Sequence, residues 1–278
     1  MDVLTVRYGA HDTGELLARS LRETGFAVVT GHPVPRELME QTYAEWERFF
    51  ASDSKREFTF DPKKQDGYFP FRSENAKGYP QKDLKEFFHV YPGTELPDWM
   101  SDSTRRLYVA LSSLAGELLA LVEDHTPGDV RARLSMPLRS MVEDSPQTLF
   151  RILHYPPLSG LEEDGAVRAA AHEDINLITL LVAATAPGLQ VLDARRRWRD
   201  VPADAGSIVV NAGDMLQMAT GGFYRSTTHR VVNPAGAGAR LPRLSMPLFL
   251  HPWPQVRLSD THTAGEYLEE RLREIGLK

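Results

Sequence analysis

Two short stretches, Ala171-His172-Glu173-Asp174 and Ser226-Thr227-Thr228-His229, decide the fold of this chain. Successive side chains of a β-strand point to opposite faces, so a His and an Asp two positions apart share one face. We expect the second His to arrive from a distant strand. Two imidazoles and one carboxylate on one face can hold non-haem Fe(II) and leave positions open for oxygen and a co-substrate. The sequence therefore predicts an iron site formed by His172, Asp174 and His229.

The composition is that of an ordinary globular protein of one domain. The chain has 278 residues, of which 42% are hydrophobic and 25% are charged, and its formal net charge is −6. A mildly acidic surface argues against a nucleic-acid partner, and no apolar segment is long enough to span a membrane. Because the chain has no cysteine, it has no disulfides, and a structural zinc site is disfavoured.

The expected compartment and assembly follow from similarly simple features. The first residues, Met1-Asp2-Val3-Leu4-Thr5, lack the basic and apolar pattern of a signal peptide. We therefore expect a cytoplasmic enzyme, because a reducing compartment keeps iron in the ferrous state. We expect a monomer or a weak homo-oligomer that acts on a small molecule, without a nucleic acid or a membrane as partner.

The segments around the two histidine stretches form a series of short apolar runs separated by Gly and Pro turns. In chain order they are residues 149–155, 175–182, 188–192, 198–202, 206–214, 229–233 and 243–249. In this order the segments resemble the isopenicillin N synthase-like family of iron(II)/2-oxoglutarate-dependent dioxygenases. The resemblance runs from about residue 149 to residue 252. A Gly-Phe-x-Val-Val run at residues 25–29, followed by a helical pattern, also resembles the N-terminal part of that family.

Many short strands bracketed by helices predict a mainly β protein with flanking helices. The resemblance implies a double-stranded β-helix, also called a jelly roll, as its core. Within a single domain of residues 1–278, we expect a helical region with a substrate loop at 1–145, the jelly-roll core at 146–252 and a C-terminal helix at 253–278. Residues 61–97 read as a long loop. Thr263 and Glu266 have the spacing of a capping box, and the helix that follows carries Tyr267, Leu268, Leu272 and Ile275.

The resemblance also implies a site for 2-oxoglutarate. Arg243 and Ser245 share one strand face, and a guanidinium binds a carboxylate through two hydrogen bonds. In the family this Arg-x-Ser pair, together with a tyrosine at the Tyr155 position, holds the distal carboxylate of 2-oxoglutarate. The chain departs from many plant members at Leu153, where they carry an asparagine that supports the co-substrate. The implied cofactors are Fe(II), 2-oxoglutarate and O₂, and ascorbate is expected to help in vitro.

Candidate substrate residues come from opposite ends of the chain. The aromatic and charged loop contributes Tyr68, Phe69, Phe71 and Arg72, because long loops in compact domains are often binding loops. The resemblance adds Arg151, Phe249 and His251, at or beside positions that face the substrate in some relatives. We interpret Lys85, Glu86 and the other histidines, including His89, as structural, and the arginines at 195–197 as a solvated hairpin.

Together these features predict an oxygenase that hydroxylates, desaturates or closes a ring in a polar small molecule, with release of succinate and CO₂. Such a reaction belongs to small-molecule or natural-product metabolism. Two alternatives stay open. Isopenicillin N synthase and aminocyclopropane-carboxylate oxidase carry the same three iron ligands and the Arg-x-Ser pair, but they use no 2-oxoglutarate. A jelly-roll protein that binds a small ligand without turnover is the other alternative, although an intact set of iron ligands argues against it.

Overall fold

The computed structural model of the protein describes residues 2–74, 79–202 and 204–274, so the predicted helical position Ile275 lies outside the described residues. The strands within these residues are β1 (Leu4–Arg7), β2 (Phe26–Thr30), β3 (Gly67–Phe69), β4 (Glu86–Val90), β5 (Leu149–Tyr155), β6 (Ala169–His172), β7 (Ile178–Val182), β8 (Leu189–Leu192), β9 (Trp198–Asp200), β10 (Ile208–Ala212), β11 (His229–Val231) and β12 (Arg243–Leu250). The helices are α1 (Thr13–Thr24), α2 (Arg36–Ala51), α3 (Ser103–Asp124), α4 (Gly128–Arg131), α5 (Leu138–Val142), α6 (Asp214–Ala219) and α7 (Ala264–Glu274). Short 3₁₀ helices span Asp53–Phe58 and Gly236–Arg240.

The strands form two sheets. In the described part of the chain, the larger sheet has eight strands in the order β1-β2-β10-β7-β12-β5-β4-β3, and the smaller has four in the order β6-β11-β8-β9. All pairings are antiparallel apart from β1 with β2. Strands from residues 1–145 therefore hydrogen-bond in one sheet with strands of the core region.

Side-chain alternation gives the larger sheet two different faces. One face contacts the smaller sheet: Leu153 and Tyr155 of β5 pack with Ala169 of β6 and Val231 of β11. The other face carries buried apolar residues such as Leu244, Met246 and Leu248 of β12, which belong to the main hydrophobic core together with helices α1, α2 and α3. The space between the two sheets is thus where side chains from both can meet.

A glycine at the end of α1 fixes the approach of the N-terminal region to the smaller sheet. Gly25 has φ +74°, a conformation that L side chains rarely adopt. A Cβ atom at this position would lie 2.3 Å from Oγ1 of Thr227. Because Thr227 is two residues before His229, only glycine allows β2 to follow α1 without displacing the strand that carries this histidine.

The structure corrects the expected loop at residues 61–97. This region contains β3 and β4, which extend the larger sheet beyond β5. The predicted capping box at the C-terminal helix does form, because Thr263 and Glu266 exchange backbone-to-side-chain hydrogen bonds of 2.8 and 3.3 Å. Within the described ranges, no helix has both the length and the apolar character needed to cross a bilayer.

Candidate metal centre and active-site cavity

The three predicted iron ligands meet at one end of the smaller sheet. β6 ends at His172 and β11 begins at His229, and the two residues are partners in the strand register. The sequence predicted that Asp174 lies in the same strand as His172. This prediction is wrong, because β6 ends at His172. Instead the chain turns after β6, and the carbonyl of Asp174 accepts a hydrogen bond of 2.7 Å from the amide of Asp214.

Distances between the ligand atoms match a single metal ion. Oδ1 of Asp174 lies 3.8 Å from Nε2 of His172 and 3.6 Å from Nε2 of His229. The three ligand atoms all lie within 4.8 Å of one another. An ion with bonds of about 2 Å to nitrogen and oxygen fits between them. The donor set of two imidazoles and one carboxylate is the one that suits non-haem Fe(II).

Hydrogen bonds orient each ligand towards this point. Nδ1 of His172 lies 2.7 Å from the carbonyl of Ala170, and Nδ1 of His229 lies 3.1 Å from the carbonyl of Thr227. A carbonyl only accepts, so Nδ1 carries the proton in both rings and Nε2 keeps its lone pair for a metal.

The carboxylate of Asp174 is oriented in the same way. Its Oδ2 atom accepts hydrogen bonds from Oγ1 of Thr179 at 2.7 Å and from Nδ2 of Asn211 at 2.8 Å. Both donors come from strands of the larger sheet, β7 and β10. Oδ1 is therefore the oxygen that faces the two histidines.

Electrostatics favours the metal-binding protonation states. Burial, and then the neighbouring His229, lower the pKa of His172 to about 4. Burial opposes ionisation of Asp174, but the two histidines and the hydrogen bonds from Asn211 and Thr179 lower its pKa overall. At neutral pH the site therefore presents a neutral His172 and an ionised carboxylate, as a ferrous ion requires.

The residues predicted to bind 2-oxoglutarate lie together between the sheets. Arg243 of β12 is the register partner of Tyr155 of β5, and its guanidinium carbon lies 5.1 Å from the centre of the Tyr155 ring. Arg243, Ser245 and Tyr155 are all buried. Nε of Arg243 donates to the carbonyl of Ala186 at 2.9 Å, whereas Nη1 is buried and finds no acceptor within the described ranges. An unsatisfied buried donor on a guanidinium fits a ligand carboxylate.

A cavity of about 1450 Å³ opens beside the iron ligands. Its wall includes His172 and Asp174, together with Arg151 of β5 and the residues Phe249 and His251 at the end of β12. Helix α7 closes another side. Three of the predicted substrate residues, Arg151, Phe249 and His251, therefore line the cavity next to the metal position.

The remaining predicted substrate residues are placed elsewhere. Phe69 packs against Phe87 in the cluster that includes Tyr155. Tyr68 points to the opposite face of β3, donates a hydrogen bond to Glu86 and lines a separate recess together with Phe71. The alternation of β3 explains this separation, because neighbouring side chains of a strand cannot face the same side.

Arg72 is likewise outside the cavity, because it forms an ion pair with Glu163 at the surface. Of the four residues predicted from the aromatic loop, only Phe69 therefore lies on the face of the sheet that carries the site. We accordingly remove Tyr68, Phe71 and Arg72 from the set of candidate substrate contacts.

A charged cluster that the sequence did not predict lines the same cavity. Nζ of Lys85 lies 2.8 Å from both Asp83 and Glu74, and Arg151 lies 3.4 Å from Glu74. Nε of Arg151 donates to Nε2 of His89 at 2.9 Å. Lys85 and His89, which the sequence suggested were structural, thus face the cavity. If residues 86–90 had been recognised as a strand, the alternation of its side chains would have placed Lys85, Phe87 and His89 on one face.

The protonation states of this cluster follow from its contacts. The pKa of Lys85 is raised although burial opposes the charge, because Glu74 and Asp83 favour the ammonium. Burial, and then Arg151, lower the pKa of His89 well below its ordinary value. Burial lowers the pKa of His251 to about 4. Beside His172, the cavity wall therefore combines ion pairs whose charges neutralise one another with the two uncharged imidazoles of His89 and His251.

Comparison with known families supports the chemistry that this geometry indicates. Residues 146–252 match the 2OG-Fe(II) oxygenase superfamily, and residues 7–108 match the N-terminal model of non-haem dioxygenases in morphine synthesis. The chain is 30% identical over 266 residues to the 2-oxoglutarate-Fe(II) type oxidoreductase hxnY of Emericella nidulans, covering 84% of this chain and 73% of that protein.

Solved structures give the same result at the level of the fold. A protein of Shewanella oneidensis assigned as an oxygenase is 48% identical, with a TM-score of 0.90 and coverage of 100% of both chains. A 2OG-Fe(II) oxygenase family protein of Caulobacter crescentus is 29% identical, with a TM-score of 0.81 and coverage of 98% of this chain and 99% of that chain. The predicted mainly β jelly-roll fold is thereby confirmed.

Proposed function

Because the chain belongs to the isopenicillin N synthase-like family of 2OG-Fe(II) oxygenases, we propose that this dioxygenase oxidises a C–H bond of a polar small molecule beside its iron. The family membership makes Fe(II), 2-oxoglutarate and O₂ its cofactors and co-substrates. The observation that carries the proposal is the convergence of His172, Asp174 and His229, the first two of which line a large cavity.

The protein's part in the reaction is ligation, orientation and exclusion of water. When bound, Fe(II) supplies oxygen-activating chemistry that converts 2-oxoglutarate and O₂ into succinate and CO₂ and oxidises the substrate. His172, Asp174 and His229 supply three ligand atoms from one side, and the other positions are left for co-substrates. Arg243, Ser245 and Tyr155 anchor the distal carboxylate of 2-oxoglutarate between the sheets.

The substrate side is the part of the cavity lined by Arg151, Phe249 and His251. The guanidinium carbon of Arg151 lies 4.6 Å from the ring centre of Phe87 and 5.7 Å from that of Phe249. The aromatic rings and the hydrogen bond to His89 hold this side chain in one position. A fixed guanidinium next to apolar walls is typical of sites where a few polar groups orient a small molecule.

His251 adds an uncharged donor or acceptor at the end of β12. Its Nδ1 atom is 3.3 Å from the carbonyl of Phe249, the backbone of Gln147 also interacts with the ring, and the residue lines the cavity. The substrate that suits these residues carries hydroxyl, carbonyl or acidic groups. Hydroxylation, desaturation and ring closure are all compatible with oxidation at this position.

A substrate screen by mass spectrometry tests the proposal. Purified protein is incubated with Fe(II), 2-oxoglutarate, ascorbate and a panel of polar small molecules under air. We expect at least one compound to gain an oxygen atom or lose two hydrogen atoms, with an equal amount of succinate formed. If the oxidised compounds are instead all apolar, or a peptide or nucleic acid is oxidised in their place, the proposed substrate class is wrong.

A further inference from the structure

Two buried arginines, one in the larger sheet and one just before a strand of the smaller sheet, lie beside the ring of Tyr155. Arg243 belongs to β12, and Arg168 immediately precedes β6. The guanidinium carbons lie 5.1 Å and 5.9 Å from the centre of the Tyr155 ring. Arg243 is 2% exposed and Arg168 is 1% exposed. The proposed 2-oxoglutarate site therefore has a second guanidinium next to it, which none of the sequence motifs indicated.

Among the described residues, neither arginine has a counter-charge. Arg168 donates from Nη2 to the carbonyl of Leu241 at 3.0 Å, and Arg243 donates from Nε to the carbonyl of Ala186 at 2.9 Å. In the part of the chain that the structure describes, no carboxylate forms an ion pair with either guanidinium. Nε of Arg168 and Nη1 of Arg243 are both buried and have no acceptor among the residues that the structure describes. The nearby cation Lys85 differs, because Asp83 and Glu74 neutralise it.

Such an arrangement is costly for the free protein. An unsatisfied buried donor and an unpaired buried charge each oppose folding, and the pKa of Arg168 is lowered by burial and then by the charge of Arg243. A bound anion removes both costs. A carboxylate has two oxygens that together accept about four hydrogen bonds, so it can satisfy donors from two guanidinium groups at once.

We infer that Arg168 is a second binding residue for the distal carboxylate of 2-oxoglutarate, acting together with Arg243. The inference rests on the proposed function, which places this carboxylate at Arg243, Ser245 and Tyr155. Arg168 approaches from the smaller sheet, whereas these three residues belong to the larger one. Residues from both sides of the jelly roll would thus bind the distal carboxylate of the co-substrate.

A purely structural role for Arg168 predicts something different. Its bond to Leu241 connects the segment before β6 to the residues that precede β12, so its loss could disturb the site without any direct contact. If the substitution only disturbed the structure of the site, it would weaken the binding of every ligand to a similar extent. If it removed a direct contact, it would weaken the binding only of ligands that carry a distal carboxylate.

The test compares two 2-oxo acids on the same proteins. 2-Oxoglutarate and 2-oxopentanoate have equally long carbon chains, but 2-oxopentanoate has a methyl group in place of the distal carboxylate. Their affinities are measured by titration calorimetry under anaerobic conditions with the Fe(II)-loaded full chain, so no turnover is needed. The proteins are the wild type, Arg168→Gln, Arg168→Lys, Arg243→Ala and the control Arg230→Gln. Arg230 lies in β11, contacts Gln190 and stacks 4.0 Å from the ring centre of Trp198, and its contacts involve neither Tyr155 nor Arg243.

We expect Arg168→Gln to weaken 2-oxoglutarate binding by about 10- to 100-fold, the effect of losing a hydrogen bond to a charged group. The affinity for 2-oxopentanoate should change by no more than about twofold. Arg168→Lys should lose less affinity for 2-oxoglutarate, again with little change for 2-oxopentanoate. If Arg168→Gln does not fold, this difference between the two ligands in Arg168→Lys tests the inference. Arg230→Gln should resemble the wild type with both ligands.

Two results would overturn the inference: unchanged 2-oxoglutarate affinity in the folded Arg168 variants, or an equal loss for both ligands. The Arg243→Ala protein shows whether only the inference about Arg168 is wrong or whether the proposed 2-oxoglutarate site is wrong as well. If only Arg243→Ala loses affinity, the proposed function stands and Arg168 is structural. If neither Arg243→Ala nor Arg168→Gln changes the binding of 2-oxoglutarate, the co-substrate binds elsewhere and both proposals are wrong.

Discussion

Asn211 holds one oxygen of Asp174 away from the metal position. Its Nδ2 atom donates to Oδ2 of Asp174 at 2.8 Å, and Oγ1 of Thr179 donates to the same oxygen at 2.7 Å. Oδ1 is the oxygen that faces His172 and His229. The larger sheet therefore sets the orientation of a ligand that follows the last residue of β6 in the smaller sheet.

Replacing Asn211 should weaken iron binding although Asn211 is not a ligand. We expect Asn211→Leu to lower the affinity for Fe(II) by about 10- to 100-fold, the range for loss of a residue that orients a metal ligand. Anaerobic titration with Fe(II) measures the effect, and circular dichroism confirms that the variant is folded. The matched control is Glu173→Gln, an exposed position between two of the ligands that contacts Thr228, and it should bind Fe(II) like the wild type. Equal affinities for wild type and a folded Asn211→Leu would show that Asp174 needs no such support.

Arg243 should govern the requirement for 2-oxoglutarate. Truncating one partner of a buried charged pair costs about 2–5 kcal/mol, so Arg243→Ala should raise the concentration needed for half-maximal succinate formation by about 30-fold or more. Arg243→Lys should restore little, because an ammonium cannot reproduce the two parallel hydrogen bonds of a guanidinium. Iron binding should be unchanged in both variants. An unaltered dependence on 2-oxoglutarate in Arg243→Ala would contradict this role.

Arg151 and His251 should affect substrate placement without affecting the iron. In Arg151→Ala and His251→Ala we expect product formation to fall at least tenfold, the loss of about one polar contact, while slow uncoupled conversion of 2-oxoglutarate to succinate continues. The ratio of product to succinate measures this coupling. Arg72→Ala is the control, because Arg72 pairs with Glu163 at the surface, and its ratio should equal that of the wild type. Joint loss of coupled and uncoupled activity would argue against a substrate role for Arg151 and His251.

His251 should make the protein less stable in acid. Burial lowers its pKa from 6.5 to about 4, so between these values the unfolded chain binds a proton that the folded chain does not. The free energy of unfolding is therefore fully retained above about pH 6.5 and falls as the pH decreases towards 4, by about 2 kcal/mol between pH 7 and pH 5 for this group alone.

Urea unfolding of the metal-free protein at the two pH values measures this difference. The variant His251→Gln should lose less stability on acidification than the wild type, by about the same 2 kcal/mol. His11→Gln, at an exposed position, should keep the wild-type pH dependence. A His251→Gln protein with the same pH dependence as the wild type would show that this imidazole is charged in the fold.

The iron ligands could be predicted because the short apolar segments around His172, Asp174 and His229 have the order found in the family. The capping box of Thr263 and Glu266 was predictable from local spacing, since both of its hydrogen bonds join residues three positions apart. The position of Asp174 beyond β6 could not be predicted from the sequence. It depends on contacts with Asp214, Thr179 and Asn211, which lie later in the chain.

The substrate side could be predicted only in part, because β3 and β4 are short and depend on distant partners. β4 pairs with β5, about 60 residues later, and only this pairing turns Lys85 and His89 towards the cavity. The sequence suggested Arg72 as a substrate contact, yet Glu163 from another loop forms an ion pair with it. Arg168 carries no motif of its own, and the proposal for it rests on its guanidinium beside Tyr155, whose Nε has no acceptor among the described residues.

The most direct test of the central claim is succinate release from 2-oxoglutarate by protein loaded anaerobically with Fe(II) and then exposed to air. The wild type and Glu173→Gln should form succinate only when Fe(II), 2-oxoglutarate and O₂ are all present. The ligand variants His172→Ala, Asp174→Ala and His229→Ala should form none above the level without protein, because each lacks one of the three bonds that hold the ion. Succinate formation at the wild-type rate in the ligand variants, or its absence from the iron-loaded wild type, would contradict the assignment of this site as the centre of a 2-oxoglutarate-dependent oxygenase.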